Sequence, residues 1–288
     1  MRITIIGGAG RMGTWFANYF VEKGHTVRIF DVRRRKAEEV AKKLGVESVN
    51  DVSRAVENSD HILVSVPIEA TPTVLRELAP LLRKDVILAE IASLKKRTEP
   101  VLRQIGRRGI LALSIHPLFG PGANDIVRKK IALIPISDEQ REIAAAKQLF
   151  PEANLLTIGV DEHDRIMAAV LSLTHFVSLI FASALAHENI SALRKFGGPS
   201  FLTQLTLAQS MLSEDPSNYF SIQSLNKSTI PYLRKFLSGF QTLSALLQNQ
   251  DRSGFIQFFL KCRKWLYTDP KAFDAYQKMY TILDLFEN

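Results

Sequence analysis

The stretch Ile3-Thr4-Ile5-Ile6-Gly7-Gly8-Ala9-Gly10-Arg11-Met12-Gly13 decides the fold. A β-branched run enters glycines spaced G-x-G-x-x-G, at Gly8, Gly10 and Gly13, and a helical pattern then covers Met12–Lys23. Strand, glycine turn and helix in this order form the setting in which the hexapeptide holds a dinucleotide. The three glycines have separable tasks. Gly8 permits the tight turn, Gly10 lets the backbone approach a pyrophosphate, and Gly13 lets the helix pack closely on the sheet. The backbone N–H groups where the helix opens, at Arg11, Met12 and Gly13, then face the phosphates with the positive end of the helix dipole.

Moving outward, the run Val27–Phe30 ends at Asp31, 18 residues beyond Gly13. A carboxylate there accepts from both adenosine ribose hydroxyls and repels a 2′-phosphate, which favours NAD. Arg33, Arg34 and Arg35 follow at once, and an arginine nearby instead suits the phosphate of NADP. Further strand-like runs recur at His61–Val66, Val86–Ile91 and Leu111–Ile115 with helical patterns between them, and Lys130–Pro135 and Leu155–Ile158 add candidates for the sheet edge. Such alternation predicts βαβ units and a doubly wound parallel sheet, the α/β Rossmann architecture. After Val160 the texture changes to long helical patterns at Glu162–His187, Phe201–Ser213, Ile230–Asn249 and Gly254–Thr268, with a last helix from Pro270. Turn-like breaks separate them, among them Asp215-Pro216-Ser217. The chain is therefore expected to divide into a dinucleotide-binding domain over residues 1–158 and an all-helical domain over 159–288.

The composition fits this reading. With 46% hydrophobic and 23% charged residues among 288, the chain has the make-up of a globular protein. Cys262 is the single cysteine, so no internal disulfide forms, a reducing cytoplasm is the expected setting, and no metal cluster is expected. The net charge of +8 suits a polyanionic ligand, and Arg33–Lys36 is its densest run. No aromatics interleave with that run as single-stranded nucleic acid would require, so no nucleic-acid partner is expected. No secretory leader is expected either, because the opening apolar run passes straight into the glycine turn. Residues 166–186 carry no Asp, Glu, Lys or Arg, yet include Ser172, Thr174, His175, Ser178 and Ser183. Burial in the core or in a subunit interface, not a membrane span, is the expectation.

In open parallel sheets ligands bind beyond the carboxyl ends of the strands. The sequence places three groups of residues there. Ser65-Val66-Pro67-Ile68 ends one strand, with Val66 and Pro67 beside the cofactor or serving simply to stop the strand. Ala92-Ser93-Leu94-Lys95 ends the next, and His116-Pro117-Leu118-Phe119-Gly120-Pro121 the one after. At an ordinary pKa of about 6.5, a histidine such as His116 is neutral enough to accept a hydroxyl proton. Ser93 can orient that hydroxyl or the nicotinamide. Lys95 can meet a substrate carboxylate as a point charge. Position alone leaves a capping serine, a turn histidine and a solvated lysine equally open.

These stretches, with Glu162-His163-Asp164 and Leu173-Thr174-His175-Phe176, resemble the prephenate dehydrogenase family, arogenate-specific members included. The resemblance covers nearly the whole chain. It implies a Rossmann domain followed by a helical dimerisation domain, a homodimer, and an active site between the domains. It implies that His116 bonds the ring hydroxyl of prephenate and that Ser93 touches that hydroxyl and the nicotinamide. Lys95 and His175 would then contact substrate. The family usually has an arginine five residues before the Asp-Pro pair; here the pair is Asp215-Pro216 and the position is Ser210. Ser210 thus stands in the substrate subsite without the clamp, and Arg194, Lys195, Lys227 or Lys95 would carry its charge. Glu90 likewise stands where many relatives have aspartate. The implied activity is oxidative decarboxylation of prephenate with hydride transfer to NAD or NADP. Arogenate oxidation, a β-hydroxyacid or imine-type dehydrogenase, and a non-catalytic NAD-binding regulator are the alternatives.

Overall fold

The computed structural model describes residues 1–287, which form two compact units, Met1–Met167 and a second one from Ala168 onward. The first unit is built on eight strands: β1 (Arg2–Ile6), β2 (Thr26–Phe30), β3 (Glu47–Val49), β4 (His61–Val64), β5 (Ile87–Glu90), β6 (Leu111–Pro117), β7 (Lys130–Ile134) and β8 (Asn154–Thr157). They lie in the order β3-β2-β1-β4-β5-β6-β7-β8, parallel throughout except for the antiparallel pair β6–β7. The helices α1 (Arg11–Glu22), α2 (Arg34–Leu44), α3 (Val52–Val56), α4 (Thr71–Leu78), α5 (Glu99–Arg107) and α6 (Glu139–Leu149) connect them, and α7 (Val160–Met167) closes the unit.

Strand pleating explains why both faces of the sheet are covered. Successive side chains point to opposite faces, so a strand buried on both sides must be apolar at every position. Ile5, Leu63 and Leu113 join one hydrophobic cluster with Phe16 and Phe20 of α1, while Ile6, Ile62, Val64 and Ala112 join another with Leu75 of α4 and Leu102 of α5. The order of strands reverses between β1 and β4, whose paired ends are Ile6 and Val64. A crevice opens at such a switch point, and that is where ligands of open α/β sheets bind.

The alternating half of the chain folds as expected, with one strand not foreseen. β3 has three residues and pairs through Arg28↔Glu47 to Phe30↔Val49. It is too short and too polar to stand out by periodicity.

The second unit holds α8 (Thr174–Ala184), α9 (Ile190–Phe196), α10 (Pro199–Leu212), α11 (Pro216–Leu225), α12 (Thr229–Gln248), α13 (Arg252–Leu266) and α14 (Ala275–Glu287). Inside it, Ser172 Oγ donates to the carbonyl of Ile222 at 3.2 Å and receives a hydrogen bond from Thr229 Oγ1 at 2.9 Å. Asp215-Pro216 lies at the break between α10 and α11, as expected, and it also starts the second of these helices. Asp215 caps α11 by accepting from the Ser217 N–H, and Pro216 sits where a helix needs no donor. The pattern read as one helix from Glu162 onward contains a π-helical stretch, Ala168–Leu173, between α7 and α8.

The apolar segment departs from the expectation of burial within the chain. Val160–Ala184 is one helical run of 25 residues, and only 22% of its most apolar window is buried. Burial within the chain, one of the two expected forms, is therefore not observed. Elsewhere on the helical unit Phe196, Phe240, Phe259 and Trp265 are exposed as well. An apolar surface of this kind marks an interaction face.

Candidate active site at the strand ends

The glycine turn is shaped by contacts that exclude side chains. Gly7 and Gly8 both donate to the carbonyl of Phe30, at 2.8 and 3.1 Å. The left-handed residue of the turn is Gly7, with φ of +85°, and not Gly8. A Cβ on Gly8 would come within 2.5 Å of Ile29, and one on Gly13 would come within 2.2 Å of the Gly7 carbonyl oxygen. Gly13 thus brings α1 against the turn, while Gly8 brings the turn against β2. A Cβ on Gly10 would sit 3.2 Å from the Gly7 oxygen and 3.9 Å from Nη2 of Arg33. This backbone cradle, at the amino end of α1, fits a dinucleotide pyrophosphate. Val66 lies against it, with Cγ1 2.9 Å from where a Gly7 Cβ would be, and Pro67 follows on the exposed side. Arg11 is exposed at the start of α1, and Met12 packs partly buried against the core.

Asp31 is buried at the end of β2, and every acceptor position of its carboxylate is engaged. Oδ2 accepts from the Ala9 N–H at 3.1 Å and from Arg33 Nη2 at 3.1 Å. Oδ1 accepts from the Arg33 N–H at 2.9 Å and from Arg33 Nε at 3.0 Å. Burial alone would raise its pKa, but the hydrogen bonds and charge of Arg33, with the Ala9 N–H, hold it below the usual carboxylate value.

The ends of β5 and β6 are neighbours, paired as Glu90↔Ser114, so Ser93, just beyond β5, and His116, near the end of β6, belong to adjacent parallel strands. Ser93 is half-buried and His116 is 5% exposed. Nδ1 of His116 lies 3.0 Å from Nε2 of His163, and Nδ1 of His163 lies 2.8 Å from Oδ1 of Asp164. Asp164 in turn accepts from the backbone N–H groups of Lys95 (2.9 Å) and Lys96 (3.1 Å). Burial opposes ionisation of Asp164, yet the hydrogen bonds from His163, Lys95 and Lys96 lower its pKa. The carboxylate is then an acceptor, so a neutral His163 donates from Nδ1 and offers Nε2 as an acceptor. His116 donates its Nδ1–H to that nitrogen, and its own Nε2 keeps a lone pair. The hydrogen bond at one ring nitrogen decides the state of the other. Burial, then the neighbouring His163 and Lys95, push the His116 pKa well below 6.5. The motif Glu162-His163-Asp164 shows no role in the sequence alone, because the contact of His163 with His116 spans 47 residues.

Lys95, expected to meet a substrate carboxylate, is fully buried and turned inward. Its Nζ donates to Glu90 Oε1 at 2.7 Å and to the carbonyl of Ile115 at 2.6 Å. Glu90 also accepts from Ser114 Oγ (2.7 Å), Thr98 Oγ1 (3.2 Å) and the Ala92 N–H (2.8 Å). An ammonium in this interior needs such partners, and they hold it away from the rim.

The loop beyond His116 is tied to α1. Trp15 Nε1 donates to the carbonyl of Ala123 at 2.7 Å, and the Trp15 ring meets that of Phe119 at 5.0 Å.

Within the helical unit, His175 stands on α8 edge-on to Tyr219 at 4.6 Å, and its Nδ1 is buried with no hydrogen-bond partner among the described residues. Ser210 lies on the exposed side of α10, with its carbonyl accepting from Ser213 Oγ at 2.7 Å. Arg194 donates to Gln209, next to Ser210, at 2.8 Å. No group of three His, Cys, Asp or Glu able to hold a metal occurs among the described residues.

Residues 16–158 match a family model described as prephenate dehydrogenase, nucleotide-binding domain, and residues 160–261 match one described as prephenate dehydrogenase, dimerization domain. The chain is 29% identical over 278 residues to a probable arogenate/prephenate dehydrogenase of Methanocaldococcus jannaschii, covering 94% of this chain and 62% of that protein. It is 27% identical to the T-protein of Enterobacter agglomerans, covering 94% of this chain and 69% of that protein. It thus spans about two thirds of the length of these relatives. Among solved structures it resembles prephenate dehydrogenase from A. aeolicus in complex with hydroxyphenyl propionate and NAD+, with a TM-score of 0.73 at 19% identity over 93% of this chain and 98% of that one.

Proposed function

Because this chain belongs to the prephenate dehydrogenase family, we propose that it oxidises prephenate to 4-hydroxyphenylpyruvate with loss of CO2, in tyrosine biosynthesis. The observation that carries the reading is the buried chain Asp164–His163–His116, which leaves a basic Nε2 at the end of β6. A nicotinamide dinucleotide, held by the cradle of Gly7, Gly8, Gly10 and Gly13, supplies the hydride acceptor. Nε2 of His116 accepts a hydrogen bond from the ring 4-hydroxyl and takes its proton as the carbonyl develops. The electron pair released with CO2 enters the ring and makes it aromatic. The ring oxygen then takes the proton back from Nε2, so no proton is consumed overall. The hydrogen bonds running from His116 through His163 to Asp164 fix the ring of His116 and keep its Nε2 aimed as an acceptor. Ser93, on the neighbouring strand end, orients the same hydroxyl.

Arogenate carries the same ring, and the family-related proteins bear both names. The deciding experiment follows absorbance of the reduced nicotinamide with prephenate and with arogenate, each offered NAD and NADP. The reading requires turnover with prephenate; turnover with arogenate alone would reassign the substrate, and none with either would reject the activity.

The charge relay makes its own prediction. In Asp164→Asn the new amide can donate to His163 Nδ1, which reverses both ring tautomers and puts a proton on His116 Nε2. Turnover is expected to fall about 10²-fold, the lower end of a general base's contribution. Asp164→Glu should retain more activity, because it keeps an acceptor there. Equal losses in the two variants would mean that Asp164 acts only by bracing the backbone at Lys95 and Lys96.

The apolar face of the helical unit is proposed to be covered by a second copy of the chain. Support comes from its exposed aromatics and from the description of the matching family domain.

A further inference from the structure

We propose that Arg33 selects the 2′-phosphorylated dinucleotide, NADP, by occupying the carboxylate that would otherwise hold the ribose of NAD. The inference deepens the dehydrogenase reading and rests on it. A carboxylate offers about four lone-pair sites. In Asp31 all four are taken, one by the Ala9 N–H and three by the backbone and guanidinium of Arg33. The carboxylate is also buried, with only 4% of its side chain exposed, whereas 53% of the Arg33 side chain is exposed. A ligand arriving at the end of β2 therefore meets the guanidinium first.

The two dinucleotides meet this arrangement differently. The ribose of NAD offers two hydroxyls that must donate to Asp31. To do so they must displace a bidentate, charge-assisted pair, which is among the stronger kinds of hydrogen bond. The 2′-phosphate of NADP is an acceptor and needs no free lone pair on Asp31. It meets a guanidinium, the group best matched to phosphate geometry. Repulsion between phosphate and Asp31 is the usual reason an acid here excludes NADP. It is muted because Asp31 is already ion-paired with Arg33. Arg34 and Arg35 open α2 next to this pair and add to the positive field. The guanidinium also sits beside the cradle, with Nη2 3.9 Å from the position of a Gly10 Cβ. Asp31 then acts as the anchor that aims Arg33, and not as the ribose ligand expected from the sequence.

The test is isothermal titration of the unmodified chain, Arg33→Ala and Arg33→Gln with NADH and with NADPH. Circular dichroism would confirm that each variant is folded. The unmodified chain is expected to bind NADPH at least about tenfold more tightly, the effect of one charge-assisted hydrogen bond. In both variants NADPH affinity should fall by about that factor, while NADH affinity should hold or rise as Asp31 is released. Tighter binding of NADH by the unmodified chain, or an equal loss for both dinucleotides in the variants, would overturn the assignment and leave the dehydrogenase reading standing. Failure of the unmodified chain to bind either dinucleotide would reject both.

Discussion

His116→Asn is expected to lower turnover by about 10²- to 10⁴-fold, the range that general acid–base catalysis contributes, with dinucleotide affinity almost unchanged. Asparagine can keep the hydrogen bond to His163 Nε2 through its amide, so the buried network survives. It has no nitrogen able to take a proton near neutral pH, so the step at the ring hydroxyl loses its acceptor. The measurement is kcat and KM with the preferred substrate, alongside a dinucleotide titration. A turnover number within a few-fold of the unmodified chain would remove His116 from the role. The pH profile adds a second reading. Because burial, His163 and Lys95 all depress the His116 pKa, the acid limb of kcat/KM should lie below pH 6.5. Stability is linked to the same group. Below about pH 6.5 the unfolded chain binds a proton that folded His116 refuses, so this contribution is present above that pH and is lost as the pH falls. His61 and His175, whose pKa values burial also lowers, act in the same direction.

Lys95→Met should cost about 3–5 kcal/mol of folding stability, the penalty for leaving one partner of a buried ion pair without the other. Lys95 and Glu90 are both fully buried at 2.7 Å, and the remaining donors to Glu90 are neutral. Urea denaturation of the single variant and of Glu90→Met/Lys95→Met separates the causes. The double variant should recover much of the loss, since matched apolar replacements of buried pairs are often neutral or better. If Lys95 were instead a substrate ligand, the single variant would raise KM and leave the denaturation midpoint in place.

The two cases show where sequence reading reaches and where it stops. The nucleotide fold was legible because its signal is local. The glycine spacing, the strand before it and the helix after it lie within 23 residues, and the strands of the core are apolar at successive positions. β3 escaped because three residues carry no period, and α11 escaped because Asp215-Pro216, which follows the end of α10, also caps the start of the next helix. The rim itself was also readable, since Ser93 and His116 lie at recognisable strand ends. The direction of Lys95 was not. It depends on Glu90, and Glu90 depends on Ser114 of another strand. Nor could the sequence reveal that Asp31 is already engaged, because the competition between Arg33 and a ribose is decided by rotamer and lone-pair geometry. The apolar run over residues 166–186 announced a need for cover without saying what supplies it.

The tie between Trp15 and the segment beyond His116 has a practical consequence. The chain has two tryptophans, and Trp265 is 73% exposed on the helical unit. Trp15, clasped between Tyr19 and Phe119 and bonded to Ala123, is the partly shielded fluorophore. Once Trp265 is replaced by phenylalanine, the emission of the chain becomes an intrinsic optical gauge of the Phe119–Ala123 segment, read without any added dye.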